Sequence, residues 1–413
     1  MKKMFLFFFL TINIHVAFGT TYYVSPTGND GALGTSEQQA WKNFSKTYSV
    51  LDAGDTLALL DGTYCQSLKP EFGQLKGKEG KPIVIQAKND GKAIIDGQHT
   101  RPTVVFDGCS HITLEGLVAK NSSIGVFEAC GGSHYTFRRC SGYNANVNTN
   151  RHVFLIWSSY CLVEDCVASG TGRKMMVGYS HNYQKTGLHN TFRRCFAAWE
   201  RWDGKEFCNQ VWPNGVGIQV YNSCYNTIEN CISYGKTPRA GIDVFAQSSA
   251  SLIGNKILGC MSINAGANRD GTPTDYGSRP ECPDKNNLDD GTRRGFHVGC
   301  QQNEIRDNVV RDIFSHGSVF AGLCSMYGNT HDVIVDRATI VNHNPRSYEK
   351  ESLLSQFTIT NSRIDGTSYN NGNARLAHRY VNAQLTDEPL WPWPMQDRIM
   401  AELGIDVTGE MTA

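Results

Sequence analysis

The sequence has no excess of charge of either sign. Lys and Arg together number 39 in a chain of 413 residues, and Asp and Glu also number 39, so the formal net charge is zero. Nothing in this balance indicates the overall basic charge by which many proteins bind nucleic acids or anionic membranes, although net charge does not determine whether a local charged groove exists. We therefore expect neither a nucleic-acid partner nor a membrane-surface partner.

Long apolar runs are missing beyond the first residues, and no later segment is apolar enough to span a bilayer. At the start of the chain, Lys2 and Lys3 precede an apolar run over residues 4–10, and small residues follow at 17–19. This order is typical of a signal peptide that is removed on export. We predict a signal peptide over residues 1–19 and a mature, monomeric protein, secreted or periplasmic, with no membrane attachment after cleavage.

Zinc-ligand spacing is also missing, because the 14 cysteines form no CxxC pair and no cluster with histidine. Instead, a large apolar residue precedes five of the cysteines by three positions: Phe137 with Cys140, Val163 with Cys166, Phe192 with Cys195, Ile228 with Cys231, and Ile257 with Cys260. The frame extends to further pairs: Leu114 with Leu117, Ile305 with Asn308, Val335 with Ala338, and Ile359 with Ser362. Although exported proteins commonly use cysteines in disulfides, a repeated position stacks these five in one column, and we expect buried free thiols there.

The spacing of this motif predicts the fold class. Successive apolar anchors are 23 to 48 residues apart. A solenoid coil of three short strands and their turns needs about this many residues, and loops on one face make the spacing uneven. A sandwich or a propeller would need hairpin signals between the strands or a steadier repeat. We predict an all-β, right-handed parallel β-helix over residues 20–388.

Both ends of the predicted solenoid carry apolar residues at helical spacing. Residues 36–51 form the first such segment, with its apolar positions at Trp41, Phe44, Tyr48 and Leu51. Residues 389–413 form a C-terminal extension in which Met395, Ile399 and Leu403 recur every four residues. Because an open coil leaves apolar surface and strand edges uncovered, we predict an N-terminal capping helix and a short C-terminal capping helix.

A second strand pattern marks one outer face. Residues 217–220, 241–244 and 295–298 alternate apolar and polar side chains, which places Gln219, Asp243 and His297 in one row pointing away from the core. We predict that Asp243 and His297 contribute to substrate binding. A ladder of polar residues facing the solvent explains the same pattern.

Several segments resemble known exported enzymes. Residues 22–30 and 53–64 are similar to the opening of pectate lyase-like β-helix proteins. Residues 168–174, 190–195 and 202–206 resemble the core of family 9 pectate lyases, which contains an Asp-Gly coil, an Asn-x-Phe-Arg-x-Cys strand and an acidic calcium segment. The resemblance implies cleavage of an acidic polysaccharide, with Asp203 and Glu206 as ligands of Ca²⁺. Ser169 and Trp202 replace two aspartates of the family pattern, and Asp243 falls where the family has its lysine base.

The residue types that such a lyase needs are concentrated in residues 173–206. Elimination from a uronic acid needs a base to remove a proton and a cation to neutralise the carboxylate. Tryptophan rings are common sugar-stacking platforms. The predicted bases are Lys174 and Lys205, the predicted neutralising cations are Arg173 and Arg201, and the predicted stacking rings are Trp199 and Trp202. Each could equally be a solvated or packed residue without a catalytic role.

Two other functions remain open at the level of sequence. Asp289 and Asp290, with residues 315–317, faintly resemble the carboxylates and Gly-His-Gly of polygalacturonase-type hydrolases, which activate water between two acids. The chain could also be a non-catalytic glycan-binding β-helix, because this fold hosts both enzymes and binding proteins.

Overall fold

The strands of the chain stack as coils of a parallel β-helix with three faces. The computed structural model describes residues 19–180, 186–201, 215–247, 250–266, 294–300, 305–306, 308–311, 313–318, 321–324, 333–342, 357–364, 367–369, 378–381, 384–389 and 395–405. Numbering the strands in chain order, the first face contains β6 (Val104–Asp107), β9 (Phe127–Arg138), β11 (His152–Ser159), β14 (Lys174–Tyr179), β17 (Val216–Tyr221), β20 (Ala240–Ala246), β24 (Arg294–Cys300) and β28 (Ala321–Cys324).

The second face shares β9 with the first. Its other strands are β1 (Thr21–Val24), β2 (Thr56–Leu59), β4 (Ile83–Ala87), β7 (Ser110–Glu115), β12 (Leu162–Glu164), β15 (Thr191–Arg193), β18 (Thr227–Glu229), β22 (Lys256–Leu258), β26 (Asn308–Arg311), β29 (Val333–Asp336) and β31 (Phe357–Thr360). β9 turns the corner between the two faces at Gly131 and Gly132, which have φ angles of 64° and 66°. A Cβ on Gly132 would lie 1.7 Å from the carbonyl oxygen of Cys109, so only glycine fits there.

The third face completes each coil. It contains β3 (Gly62–Tyr64), β5 (Ala93–Asp96), β8 (Val118–Lys120), β10 (Ser141–Tyr143), β13 (Val167–Thr171), β16 (Phe196–Arg201), β19 (Ile232–Tyr234), β23 (Met261–Ile263), β27 (Phe314–Ser318), β30 (Thr339–Asn342) and β32 (Ser362–Ile364), with β33 (Thr367–Tyr369) antiparallel to β32. Two small pairs lie outside these faces, β21 (Leu252–Ile253) with β25 (Ile305–Arg306) and β34 (His378–Val381) with β35 (Gln384–Pro389).

The cysteine motif forms the corner between the second and third faces. In each coil one residue with positive φ comes directly before the cysteine: Arg139 at 50°, Asp165 at 52°, Arg194 at 47°, Asn230 at 53° and Gly259 at 57°. This single left-handed residue turns the chain and points the next side chain into the core. The five predicted cysteines are free thiols that are at most 1% exposed, which confirms the predicted column.

Each thiol in the column donates a weak hydrogen bond to a carbonyl of the preceding coil. The Cys195 thiol lies 3.2 Å from the oxygen of Val163, and the Cys231 and Cys260 thiols lie 3.4 Å from those of Phe192 and Ile228. These contacts satisfy the thiols without a disulfide.

The predicted frame was wrong in one coil. Ile257 pairs with Val310, so the residue that continues the cysteine column is the buried Ile313 and not Asn308. The side-chain oxygen of Asn308 instead accepts a hydrogen bond from the backbone N–H of Asn255 at 3.0 Å. It thereby extends a separate buried ladder of Asn190, Asn226 and Asn255.

The two ends differ from the predicted caps in detail. Residues 36–51 form two short 3₁₀ helices, Glu37–Gln39 and Phe44–Lys46, because Trp41 between them is extended and bridges to Val24. The C-terminal helix α1 (Gln396–Leu403) lies along the side of the solenoid and not over its last coil. Its buried Ile399 packs with Val167, Phe196 and Ile232 of the third face, and Arg398 contacts Asp90 at 2.7 Å.

No helix among the described residues has the length and apolarity needed to cross a membrane.

Candidate functional site

The predicted polar row runs along the outer side of the first face. Gln219 on β17 pairs in register with Asp243 on β20, which pairs with His297 on β24. Their neighbours Ile218, Val220 and the equivalent residues of the next coils point into the core, so strand alternation turns the row away from it. The row is nevertheless fully buried, with all three residues 0% exposed, so it is not the solvent-facing ladder that the sequence also allowed.

Asp243 is the centre of a hydrogen-bonded cluster. One of its oxygens accepts from the side-chain amide of Gln219 at 2.5 Å, and the other lies 2.7 Å from Nδ1 of His297. The guanidinium of Arg239 is 3.3 Å from the first oxygen and lies 4.1 Å from the centre of the Phe245 ring. A buried carboxylate with three such partners is held in one orientation.

These contacts fix the charge states of the pair. Burial alone would raise the pKa of Asp243, but Arg239 and His297 lower it to about 2. Burial lowers the pKa of His297 to about 4, although Asp243 partly opposes the shift. At neutral pH Asp243 is therefore ionised and His297 is neutral.

Lys174 is buried on the same side of the solenoid. It begins β14, is 5% exposed, and places its amine 4.2 Å from the centre of the Tyr221 ring. Burial, followed by the nearby charges of Arg173 and Arg239, lowers the pKa of Lys174 well below its ordinary value. Arg173 and Arg239 themselves are partly exposed, so two cations stand beside a lysine that readily loses its proton.

An aromatic column borders these charges. Trp157, Tyr179, Tyr221 and Phe245 follow one another at the position two residues beyond the polar row, and their ring centres are 5.9, 5.5 and 5.8 Å apart. Trp157, Tyr179 and Tyr221 are partly exposed. The alternation from Gln219 to Tyr221 and from Asp243 to Phe245 contains the signal for this column, which was not among the predicted features.

The remaining predicted site residues are placed elsewhere or lie outside the description. Trp199 is only 5% exposed within the hydrophobic core, and its indole N–H donates to the carbonyl of Gly172 at 2.8 Å. Sugar stacking on Trp199 stays a prediction. Arg201 is exposed at the end of β16 on the third face, where its carbonyl accepts from the N–H of Gly172 at 2.9 Å. The other predicted residues lie outside the described residues and stay predictions: Trp202, Asp203, Lys205 and Glu206.

The described residues give no support for a calcium site. Ser169, at the first aspartate position of the family pattern, is 2% exposed and lies on the third face. Within the part of the chain that the structure describes, no three His, Cys, Asp or Glu residues come together as metal ligands. The two guanidinium groups of Arg173 and Arg239 beside Lys174 suit a carboxylate better than a metal ion. Calcium bound by Asp203 and Glu206 stays a prediction.

Comparison with known proteins places the chain in a family. The family model described as the Pel9A-like, right-handed β-helix region matches residues 22–348. The chain belongs to this family. This membership and the parallel coils confirm the predicted right-handed β-helix.

Solved structures with this fold are distant in sequence. The crystal structure of pectate lyase Pel9A has a TM-score of 0.55 and 17% identity, over 87% of this chain and 80% of that one. A rhamnogalacturonan lyase has a TM-score of 0.48 and 15% identity, over 94% and 99% of the two chains. No curated protein sequence matches the chain. At these identities the likeness to solved structures concerns the fold.

Proposed function

We propose that this protein is a polysaccharide lyase that cleaves an acidic glycan by β-elimination, with Lys174 as the base. The observation that carries the proposal is the burial of the Lys174 amine beside Arg173 and Arg239, which favours its neutral form. A base must be uncharged before it accepts a proton, so a lysine with a lowered pKa suits this role.

The two arginines supply the other requirement of the reaction. Removing the proton next to a uronate carboxylate moves negative charge onto that carboxylate, and fixed cations stabilise the charge as it develops. Arg173 precedes the base in the chain, and Arg239 shares its surroundings while also pairing with Asp243. In this proposal they bind the carboxylate, and the amine of Lys174 takes the proton from the adjacent carbon. A carbon–carbon double bond then forms, the glycosidic C–O bond at the next carbon breaks, and the leaving oxygen takes a proton from water.

The lyases with the same fold support the acidic substrate. The solved neighbour with the TM-score of 0.55 is titled a pectate lyase. In this chain the partly exposed aromatic column offers apolar edges beside the cations, as expected of a site for a charged sugar polymer. Export of the protein, which would bring it to such polymers, follows from the predicted signal peptide.

The test is the ultraviolet absorbance of the unsaturated product during incubation with polygalacturonate, alginate and other polyuronides. We expect elimination by the wild type and a loss of about 10²-fold to 10⁴-fold in Lys174→Met, the range for removal of a general base. Lys256→Ala, which removes an exposed lysine of the second face, is the matched control and should retain full activity. New reducing ends without the absorbance would identify a hydrolase, and binding without either product would identify a glycan-binding protein.

A further inference from the structure

We propose that Gln219 and His297 form a hydroxyl-binding subsite, in which two hydrogen-bond acceptors oriented by Asp243 receive ring hydroxyls of the glycan. The inference rests on the proposed function and deepens it, because it assigns a specificity role to the cluster beside the proposed base.

Asp243 determines which atoms of Gln219 and His297 remain available to bind a ligand. An ionised carboxylate only accepts hydrogen bonds, so the amide of Gln219 must turn its NH₂ group towards Asp243 and its oxygen away. For the same reason the proton of the neutral His297 ring resides on Nδ1, and Nε2 carries a lone pair. Oε1 of Gln219 and Nε2 of His297 are both buried, and neither has a hydrogen-bond partner among the described residues.

Two buried acceptors without donors define the chemistry of their ligand. A carboxylate would meet only lone pairs there, and an ammonium group would be repelled by the guanidinium of Arg239. A neutral hydroxyl donates one hydrogen bond and carries no charge, so it fits both conditions. Because Gln219 and His297 are buried in the free protein, the surrounding residues must move aside when the hydroxyl binds.

Substitutions of His297 separate its donor from its acceptor, whereas the substitution of Gln219 removes both. His297→Asn keeps a donor where Nδ1 faces Asp243 but removes the acceptor at Nε2, whereas His297→Gln restores an acceptor at the distance of Nε2. Gln219→Met keeps the length of the side chain and removes its oxygen together with the NH₂ donor to Asp243. Val177→Ala, on the adjacent position of the same row, controls for a general disturbance of the face.

The experiment is calorimetric titration in the Lys174→Met background, so that no probe is consumed. The probes are trimers of galacturonate, guluronate and mannuronate, and the tightest-binding trimer is also used with its ring hydroxyls acetylated. We expect His297→Asn and Gln219→Met each to weaken binding of the free trimer about 10-fold, the effect of one lost hydrogen bond to a buried group. Acetylation should weaken binding to the parent similarly, and much less to the two variants, with partial recovery in His297→Gln.

The outcomes distinguish this inference from the proposed function. Equal affinity of parent and variants for the free trimer, or equal affinity of the parent for free and acetylated trimers, would overturn the subsite. If the wild type still performs elimination in that case, the lyase proposal stands without the subsite. If no trimer binds and no polyuronide is cleaved, both are overturned. An equal loss in Val177→Ala would assign the effect to packing and would also overturn the subsite.

Discussion

The buried histidine makes the stability of this protein depend on pH in a defined range. His297 has an ordinary pKa of 6.5, and burial lowers it to about 4 in the folded chain. Between these values the unfolded chain binds a proton that the folded chain does not, so stability falls as the pH decreases from 6.5 towards 4. A difference of 2.5 pKa units corresponds to about 3 kcal/mol lost over this range.

The assay is urea denaturation of the wild type and of His297→Asn at intervals between pH 7 and pH 4. His297→Asn retains a donor to Asp243 but has no titrating ring, so we expect it to lose about 3 kcal/mol less than the wild type over this range. Asp243 contributes little to the difference, because its pKa of about 2 lies below the range. Parallel pH dependence in the two proteins would refute the assigned charge states.

Further predictions concern the solenoid itself. Under native conditions an alkylating reagent should modify the exposed Cys65 and leave Cys195 and Cys231 unmodified, as peptide mass spectrometry can show; rapid labelling of either would contradict the buried column. Asn226→Ala should lower the free energy of unfolding by about 1–3 kcal/mol, because the buried N–H of Asn190 then lacks its acceptor; an unchanged denaturation midpoint would refute this. Arg398→Ala should accelerate proteolysis within α1, because it removes the contacts to Asp90 and to the carbonyl of Arg139.

The sequence was sufficient to predict the coil register because one residue type repeats at a corner that requires it. A left-handed residue followed by a small buried side chain recurs from Arg139 to Cys260, and only inward positions tolerate that pattern. The predicted register was wrong at Asn308 because Ile305 and Val310 are both apolar residues large enough to be the anchor of this coil. Spacing alone cannot choose between them when a long segment precedes the strand.

The packing site of α1 was not predicted, although the sequence contains the apolar row that this helix covers. An apolar residue directly follows each cysteine of the later coils, as in Val167, Phe196 and Ile232, and strand alternation points these side chains out of the core. Such an outward apolar row requires a cover, which α1 provides. For the N-terminal segment, helical spacing was misleading because Trp41 forms backbone hydrogen bonds to Tyr23 and Ser25 in an extended conformation.

The candidate site was predictable only as a row of residues. Alternation correctly placed Gln219, Asp243 and His297 together, since side chains on a strand have a fixed period of two. Their burial, the orientation imposed by Asp243 and the neutral state of Lys174 depend on contacts between coils that are distant in sequence. Those contacts, and not the residue types, determine what the site can do.

The measurement that tests the central claim most directly is the titration of Lys174 by NMR. Lysine side chains labelled with ¹³C at Cε report the charge of each amine, and the signal of Lys174 is assigned by its loss in Lys174→Met. We predict that this signal titrates well below the ordinary lysine pKa of 10.5. Titration of Lys174 near 10.5 would show a charged amine at neutral pH and would contradict its role as the base.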